Sequence, residues 1–360
     1  MDKKDYMQKN YQDFIDILKH LIRKPSVVGA EHPFFLSIKR ELDELGIKTT
    51  LYEGLLVAEG SEPERGMISA HIDRHGLICT GPNEFQYAAF LAQNRGDLTG
   101  DSFSEQTFMN IAERFKNQVV QAYEPWSGSY LGLGIIDNAY ICERRKNLVF
   151  EVKGLEHLIA GTPVAFVDTL KHEDGLFSAQ LDNVVSAAII LYMYQKGYKG
   201  LAFFTAQEES GKSWRFLLEH FRRWGITSDR LLVLDTSPYP DRQKAQMQDV
   251  VLRHGDASAE FNSPLTGEIE RLCKKYKIMY SFKDSYIREK NKKLQEQGLN
   301  PVSLGRTELG RLIVASGAEI QGTTLQIPTT GYHTTSETVL DKSLFSILNL
   351  LLEMYIGKKR

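Results

Sequence analysis

The chain has 360 residues, with 44 Lys and Arg against 46 Asp and Glu, a net charge of −2, 42% apolar residues, 28 Gly and 11 Pro. That is the make-up of an ordinary globular protein of about two domains, and the even mixing of charge argues against nucleic-acid binding, which needs a basic excess on at least one face. Cys79, Cys142 and Cys273 are widely spaced and never form a CxxC pair, which speaks against a disulfide framework or a cysteine zinc knuckle and fits a reducing cytoplasm.

The opening segment, MDKKDYMQKNYQDFIDILKHLIRK, lacks the apolar run and small-residue cleavage site of a signal peptide. No stretch approaches the roughly 18 consecutive apolar residues of a membrane span, so no membrane partner is expected. Phe14, Ile17, Leu18, Leu21 and Ile22 instead form one helical stripe, and Pro25 stops its continuation. A second helix is expected from Pro33 to Leu45, capped by Gly46. Ile47 to Glu53, Leu55 to Glu59 and Met67 to Ala70 read as strands, the last delivering the chain to His71. Residues 77–170 change character, alternating polar and aromatic segments with Gly turns, and contain strand-like runs at Leu148 to Val152 and Val164 to Val167. This block reads as an insertion. Beyond it come an apolar helix from Val184 to Tyr194, a strand from Leu201 to Thr205, a helix over 213–224 and a strand from Leu231 to Leu234, the pattern of a covered α/β sheet. Residues 281–300 are highly charged and read as a solvated helix or loop. No internal repeat is present.

Four of these strands run into residues able to hold a metal: His71-Ile72-Asp73, Gln207-Glu208-Glu209, Asp235, and a loop carrying His333. In open α/β sheets, residues just beyond the strands' carboxyl ends converge on one crevice. Asp182, before the Val184 helix, is positioned to join them. Taken singly, each has an ordinary reading as a satisfied histidine, a surface acid or a helix cap. Jointly they would bury uncompensated charge unless a cation neutralised it. Imidazoles and carboxylates without thiolates suit two divalent ions, zinc by default with cobalt or manganese as alternatives, about 3.5 to 4 Å apart and bridged by a carboxylate. Adjacent Glu208 and Glu209 can divide the work of general base and ligand, and Asp73 can orient the His71 imidazole.

At these residues the sequence resembles peptidase family 42 of the metallopeptidases, the tetrahedral, deblocking and glutamyl aminopeptidases, within the clan of dizinc exopeptidases. SAHIDRHG is similar to the family's AHMDEIG segment, GTPVAFVD and AQLDNVVSAA to GDPVVFD and DNRAG, and FFTAQEESG to TAQEEVG. LGRTELGRLI stands where the family has GTDA, and TTLQIPTTGYHTTSETV resembles the IPTRYMHSPVE ending. The resemblance implies His71 and Asp235 as ligands of one metal, Glu209 and His333 as ligands of the other, Asp182 as the bridge, Glu208 as general base and Asp73 in a supporting role.

It also implies an α/β fold with a mostly parallel or mixed central sheet flanked by helices, built from residues 1–76 and 171–360. A smaller, mostly β dimerisation domain at 77–170 would interrupt it, with homo-oligomers that are dimers or dodecamers of dimers. Arg74-His75 replaces the family's Glu-Ile, Val184 replaces an Arg, and Arg306-Thr307-Glu308 replaces Gly-Thr-Asp. These changes bear on substrate choice. Arg74 and Arg306 read either as surface salt-bridge partners or as contacts for an acidic substrate side chain. His75 reads either as a hydrogen-bond donor beside the site or as an exposed loop residue, the latter preferred, and His254-Gly255-Asp256 as a pocket lining or a turn.

The function expected is therefore a two-metal aminopeptidase acting on short peptides, with a water activated between the metals and Glu208 as base. A carboxypeptidase or N-acyl amino acid deacylase of the same clan would use the same ligands. A catalytically silent scaffold is the rival from outside enzymology.

Overall fold

The computed structural model describes residues 11–89, 105–144 and 147–357. Helix α1 (Gln12–Ile22) buries Phe14, Ile15, Leu18, Leu21 and Ile22, with Ile17 at the edge of that face. Helix α2 (His32–Glu44) follows, with Pro33 in its first turn, where the missing N–H costs nothing. Strands β1 (Lys48–Tyr52), β2 (Leu55–Glu59) and β3 (Met67–His71) then enter the main sheet.

After β3 the chain leaves for a closed six-stranded barrel. Its strands are β4 (Gly76–Gly81), β5 (Glu84–Tyr87), β6 (Val119–Tyr123), β7 (Tyr130–Cys142), β8 (Asn147–Lys153) and β9 (Pro163–Phe166), joined in the order β4-β5-β8-β7-β6-β9. Helix α3 (Glu105–Phe115) packs on it, while residues 90–104 and 145–146 of the block expected to be inserted lie outside the described residues. The barrel interior is apolar, with Leu77, Phe85, Phe115, Phe150 and Val164 all fully buried. The chain before β1 reaches into it: Val27, Val28 and Ala30 join this core, and buried Tyr123 accepts from Val27 N and donates to Ala30 O.

The outside of the barrel is also apolar along β7. Leu131, Leu133 and Ile135 alternate on one face and are 42%, 53% and 47% exposed, and exposed Val119 pairs with Ile135.

The chain returns through β10 (Lys171–Glu173) and β11 (Leu176–Ala179) to helix α4 (Val184–Gln195). Every residue of α4 from Val184 to Tyr194 is buried, as expected of a helix apolar on all sides. Then come β12 (Leu201–Thr205), α5 (Ser213–Trp224) and β13 (Ser228–Pro238), followed by a single-turn helix α6 (Arg242–Ala245). β14 (Val250–Leu252), α7 (Pro264–Tyr276), β15 (Tyr280–Phe282), α8 (Lys283–Glu296), α9 (Glu308–Ala315), β16 (Ile320–Thr330), β17 (Glu337–Leu340) and α10 (Asp341–Tyr355) complete the order. The charged stretch over 281–300 is thus mainly helix, anchored by buried Lys283, Asp284 and Ile287.

The main sheet has eleven strands, ordered β1-β2-β12-β3-β13-β16-β17-β11-β10, with β14 and β15 attached beside β16. Its four central strands, β12, β3, β13 and β16, are mutually parallel and the flanking pairs are antiparallel, so the sheet is mixed, as expected. Helices α1, α2, α4 and α10 cover one face, and α5 and α9 the other. Among the described residues no helix is long and apolar enough to cross a membrane.

Candidate metal centre

Because β3, β12, β13 and β16 run in parallel, their carboxyl ends open on the same edge of the sheet. His71 ends β3, Glu208 and Glu209 follow β12, His333 lies beyond β16, and Asp182 sits between β11 and α4. Asp235 is inside β13 rather than past its end, because β13 keeps its pairing with β16 as far as Pro238. All six line one open pocket of about 240 Å³.

Within it the atoms form two groups. His71 Nε2 faces Asp182 Oδ1 at 3.4 Å and Asp235 Oδ1 at 3.5 Å. His333 Nε2 faces Glu209 Oε2 at 3.4 Å and Asp182 Oδ2 at 3.9 Å, so the two oxygens of Asp182 look toward different groups.

These separations fit divalent cations. Around a tetrahedral ion with bonds of about 2.0 to 2.1 Å, neighbouring ligand atoms stand roughly 3.3 Å apart. The ligating oxygens of Asp182 and Asp235 lie within 4.8 Å of each other. At an effective dielectric near 20, two like charges at such a distance repel by roughly 3 kcal/mol, so the pair calls for a neutralising charge. Asp182 Oδ1 and His71 Nδ1 are also buried without a hydrogen-bond partner.

The titration behaviour has the same cause. Burial pushes the Glu208 carboxyl well above its usual range; the charge of His71 offsets part of this, while Glu209, Asp235 and Asp73 add to it. Burial raises Glu209 as well, with Asp182 as the next contributor. Burial alone would lower His71, but Asp182, Asp235 and Asp73 outweigh it and hold the imidazole well above its ordinary pKa.

A ring of hydrogen bonds fixes the loops. Buried Asp73 accepts from Glu208 N at 2.9 Å and Glu209 N at 3.0 Å. Its Oδ1 stands 3.5 Å from His71 Nδ1, longer than a hydrogen bond, so what it visibly holds is the turn carrying the two glutamates. Glu337 accepts from Leu181 N, Asp182 N and His333 N at 2.7 to 2.8 Å, clamping two loops with one carboxylate. Glu337 went unnoticed in the sequence, although its place four residues after His333 in HTTSE was the available signal.

Glu308, in the segment standing where the family has GTDA, lies behind β3 and β12. It accepts from Ser69 Oγ and Thr205 Oγ1 at 2.7 and 2.6 Å. Glu31 Oε1 accepts from Gly29 N and Gln207 N, and burial, with Asp73 nearby, pushes its carboxyl up to about 8.

The residues flanking the motifs sort differently from expectation. His75 is no exposed loop residue: it is 4% exposed, because β4 begins at the next residue and draws it beneath the site. Its Nε2 lies 3.1 Å from Glu209 Oε1, its ring centroid lies 3.8 Å from that of His333, and burial holds its pKa down at about 4. Arg74 is buried away from the pocket, donating to Ser26 Oγ and to the carbonyls of Ile22 and Lys24, which excludes both a surface salt bridge and a substrate contact. Arg306 does line the pocket, together with Arg253 and Lys283.

Val184 is simply the buried start of α4. His254-Gly255-Asp256 is a turn: Asp256 accepts from Ser258 N, Ala259 N, Thr307 N and Thr307 Oγ1, and the His254 ring stacks on Phe282.

No protein-family model matches the chain, and no curated protein is similar to it in sequence. Solved structures are similar in fold. A TET aminopeptidase from a marine sediment thaumarchaeon superposes with a TM-score of 0.70 at 14% identity, covering 96% of each chain. The TET1 peptidase of Pyrococcus horikoshii, which assembles into a tetrahedron or a large octahedral shell, gives 0.64 at 18% identity over 96% of this chain and all of its own. An aminopeptidase from Desulfurococcus kamchatkensis gives 0.67 at 16% identity over 96% and 95%. The architecture that positions His71, Asp182, Glu208, Glu209, Asp235 and His333 is thus the fold of the TET aminopeptidases over nearly the whole chain.

Proposed function

We propose that the chain is a two-metal aminopeptidase that removes N-terminal residues from short peptides. The observation that carries this reading is Asp182, whose two oxygens face His71 on one side and His333 on the other, beside Glu208 in the same open pocket. His71, Asp182 and Asp235 would hold one divalent ion, and Asp182, Glu209 and His333 the other. The donor set favours zinc, with cobalt or manganese as substitutes. When bound, such ions acidify water and polarise the scissile carbonyl.

The chain's own residues supply the rest. Glu208, whose backbone is pinned by Asp73, takes a proton from the attacking water and delivers it to the leaving amine. Glu337 keeps Asp182 and His333 in register. The similar structures are named aminopeptidases, which favours this reading over a carboxypeptidase or deacylase with the same donors.

Assembly belongs to the same proposal: the apolar outer face of β7 is suited to pairing barrel with barrel in a homo-oligomer. The deciding experiment is metal analysis with hydrolysis of aminoacyl anilides and of N-acyl amino acids, before and after chelation and metal restoration. Two ions per chain and chelator-sensitive anilide hydrolysis are expected. Turnover of N-acyl amino acids alone moves the function to a deacylase, and absence of metal uptake overturns the catalytic reading.

A further inference from the structure

Below the two groups already described lies an imidazole that the family motif does not call for. His75, Glu209 and His333 each offer a ligating atom, all within 4.8 Å of one another. Nε2 of His75 is buried and without a hydrogen-bond partner, although Glu209 Oε1 is only 3.1 Å away. Its other nitrogen, Nδ1, is engaged at 2.5 Å with the hydroxyl of Tyr87, on barrel strand β5. The backbone is fixed as well, Gln180 Nε2 donating to His75 O at 2.9 Å.

A neutral imidazole carries one N–H. If Nδ1 donates to Tyr87, Nε2 turns a bare lone pair toward a carboxylate oxygen, an arrangement that is repulsive unless a cation stands between them. The 3.1 Å separation is also close to the spacing of neighbouring ligands on one ion. A ligand imidazole characteristically gives its far nitrogen's proton to an oxygen that sets its orientation, which is the place Tyr87 occupies.

We propose that His75 is an additional ligand, through Nε2, of the ion held by Glu209 and His333, and that Tyr87 of the barrel orients it. This rests on the two-metal reading above. The two halves of the centre then differ: one ion has His71 with Asp182 and Asp235, while the other has two imidazoles with Glu209 and the shared Asp182. The second half is tied directly to the barrel, so barrel and sheet are joined at the metal itself.

X-ray absorption on the zinc-loaded full-length chain tests this without any substitution. Three imidazoles distributed over two ions are expected, and two imidazoles overturn the proposal. In His75→Ala, competition with a chromophoric chelator is expected to show one of the two ions bound at least ~100-fold more weakly, a direct ligand being worth more than the 10- to 100-fold of an orienting partner. The other ion should be little changed. Tyr87→Phe is expected to weaken the same ion by roughly 10- to 100-fold while all three imidazoles remain.

Weaker binding in His75→Ala with only two imidazoles in the parent makes His75 a positioning residue for Glu209 and overturns ligation. If the parent takes up two ions and His75→Ala matches it, this inference alone fails. If the parent takes up no second ion, the two-metal reading falls with it.

Discussion

At the carboxyl edge of the main sheet the chain buries charge, whereas on the outer face of the barrel it exposes hydrocarbon. Around the pocket, Glu31, Asp73, Asp182, Glu308 and Glu337 are all buried, and burial pushes several of their neighbours toward the neutral form. On β7, Leu131, Leu133 and Ile135 face outward over an interior that is already packed with Phe85, Phe115 and Phe150. Clustered buried carboxylates favour a neutralising cation, and an exposed apolar strand face favours a covering surface. Each region therefore points to what completes it.

The sharpest break in that comparison is at Glu208. Glu208→Gln is expected to lower anilide hydrolysis by about 10² to 10⁴-fold with metal content unchanged, since it removes the proton carrier but no ligand. Full turnover in this variant would take the buried charge out of the chemistry.

Next is Arg74, whose donors end on Ser26, Ile22 and Lys24 rather than on anything in the pocket. Arg74→Met should cost about 2 to 4 kcal/mol in urea unfolding by leaving those acceptors unpaired. Turnover per folded molecule should hold; a selective loss on acidic substrates would reinstate Arg74 as a contact.

On the barrel, Leu133→Lys and Ile135→Lys should weaken self-association by roughly 10- to 100-fold in sedimentation, which is about 1.4 to 2.8 kcal/mol, while changing the unfolding of the single chain little. Unaltered assembly would assign the interface to another surface.

The last test reads a slope against pH and concerns Glu31, raised from 4.5 to about 8 in the folded chain. A carboxyl raised by folding binds its proton more tightly in the native state, so its contribution to stability is complete below 4.5 and is lost as pH rises through 8. Metal-free parent protein should lose stability relative to Glu31→Gln over that window, with a slope on the order of 1 kcal/mol per pH unit. Parallel unfolding curves would show that the carboxylate is already charged at low pH.

The central strands and the α4 helix were legible because continuous apolar runs bounded by turns leave few alternatives, and the repeated placement of His or acid after such runs exposed the pocket. The end of β13 was not legible: Thr236 and Ser237 are polar, and only their pairing to Ile327 and Pro328 keeps them in the strand. Of the two readings of His75 the exposed loop was the wrong one: H-x-D drew attention to His71 and Asp73, while burial of the next residues depends on a barrel that closes through strands as distant as β9, paired to Gly76 at Ala165. Arg74 was misread for a related reason. Its acceptors come from the turn after α1, some fifty positions earlier, and no local pattern announces them.

The position of β16 carries a temporal consequence. It is laid between β13 and β17 in the middle of the main sheet, yet it is one of the last strands in the chain, and it leads into both His333 and Glu337. Until that segment has been synthesised and threaded into place, Asp182 has no clamp, Glu209 has no imidazole from beyond β16, and a nascent chain on the ribosome holds only an unfinished half of the centre. The proposed centre is in this way kept incomplete until nearly the whole chain has been made.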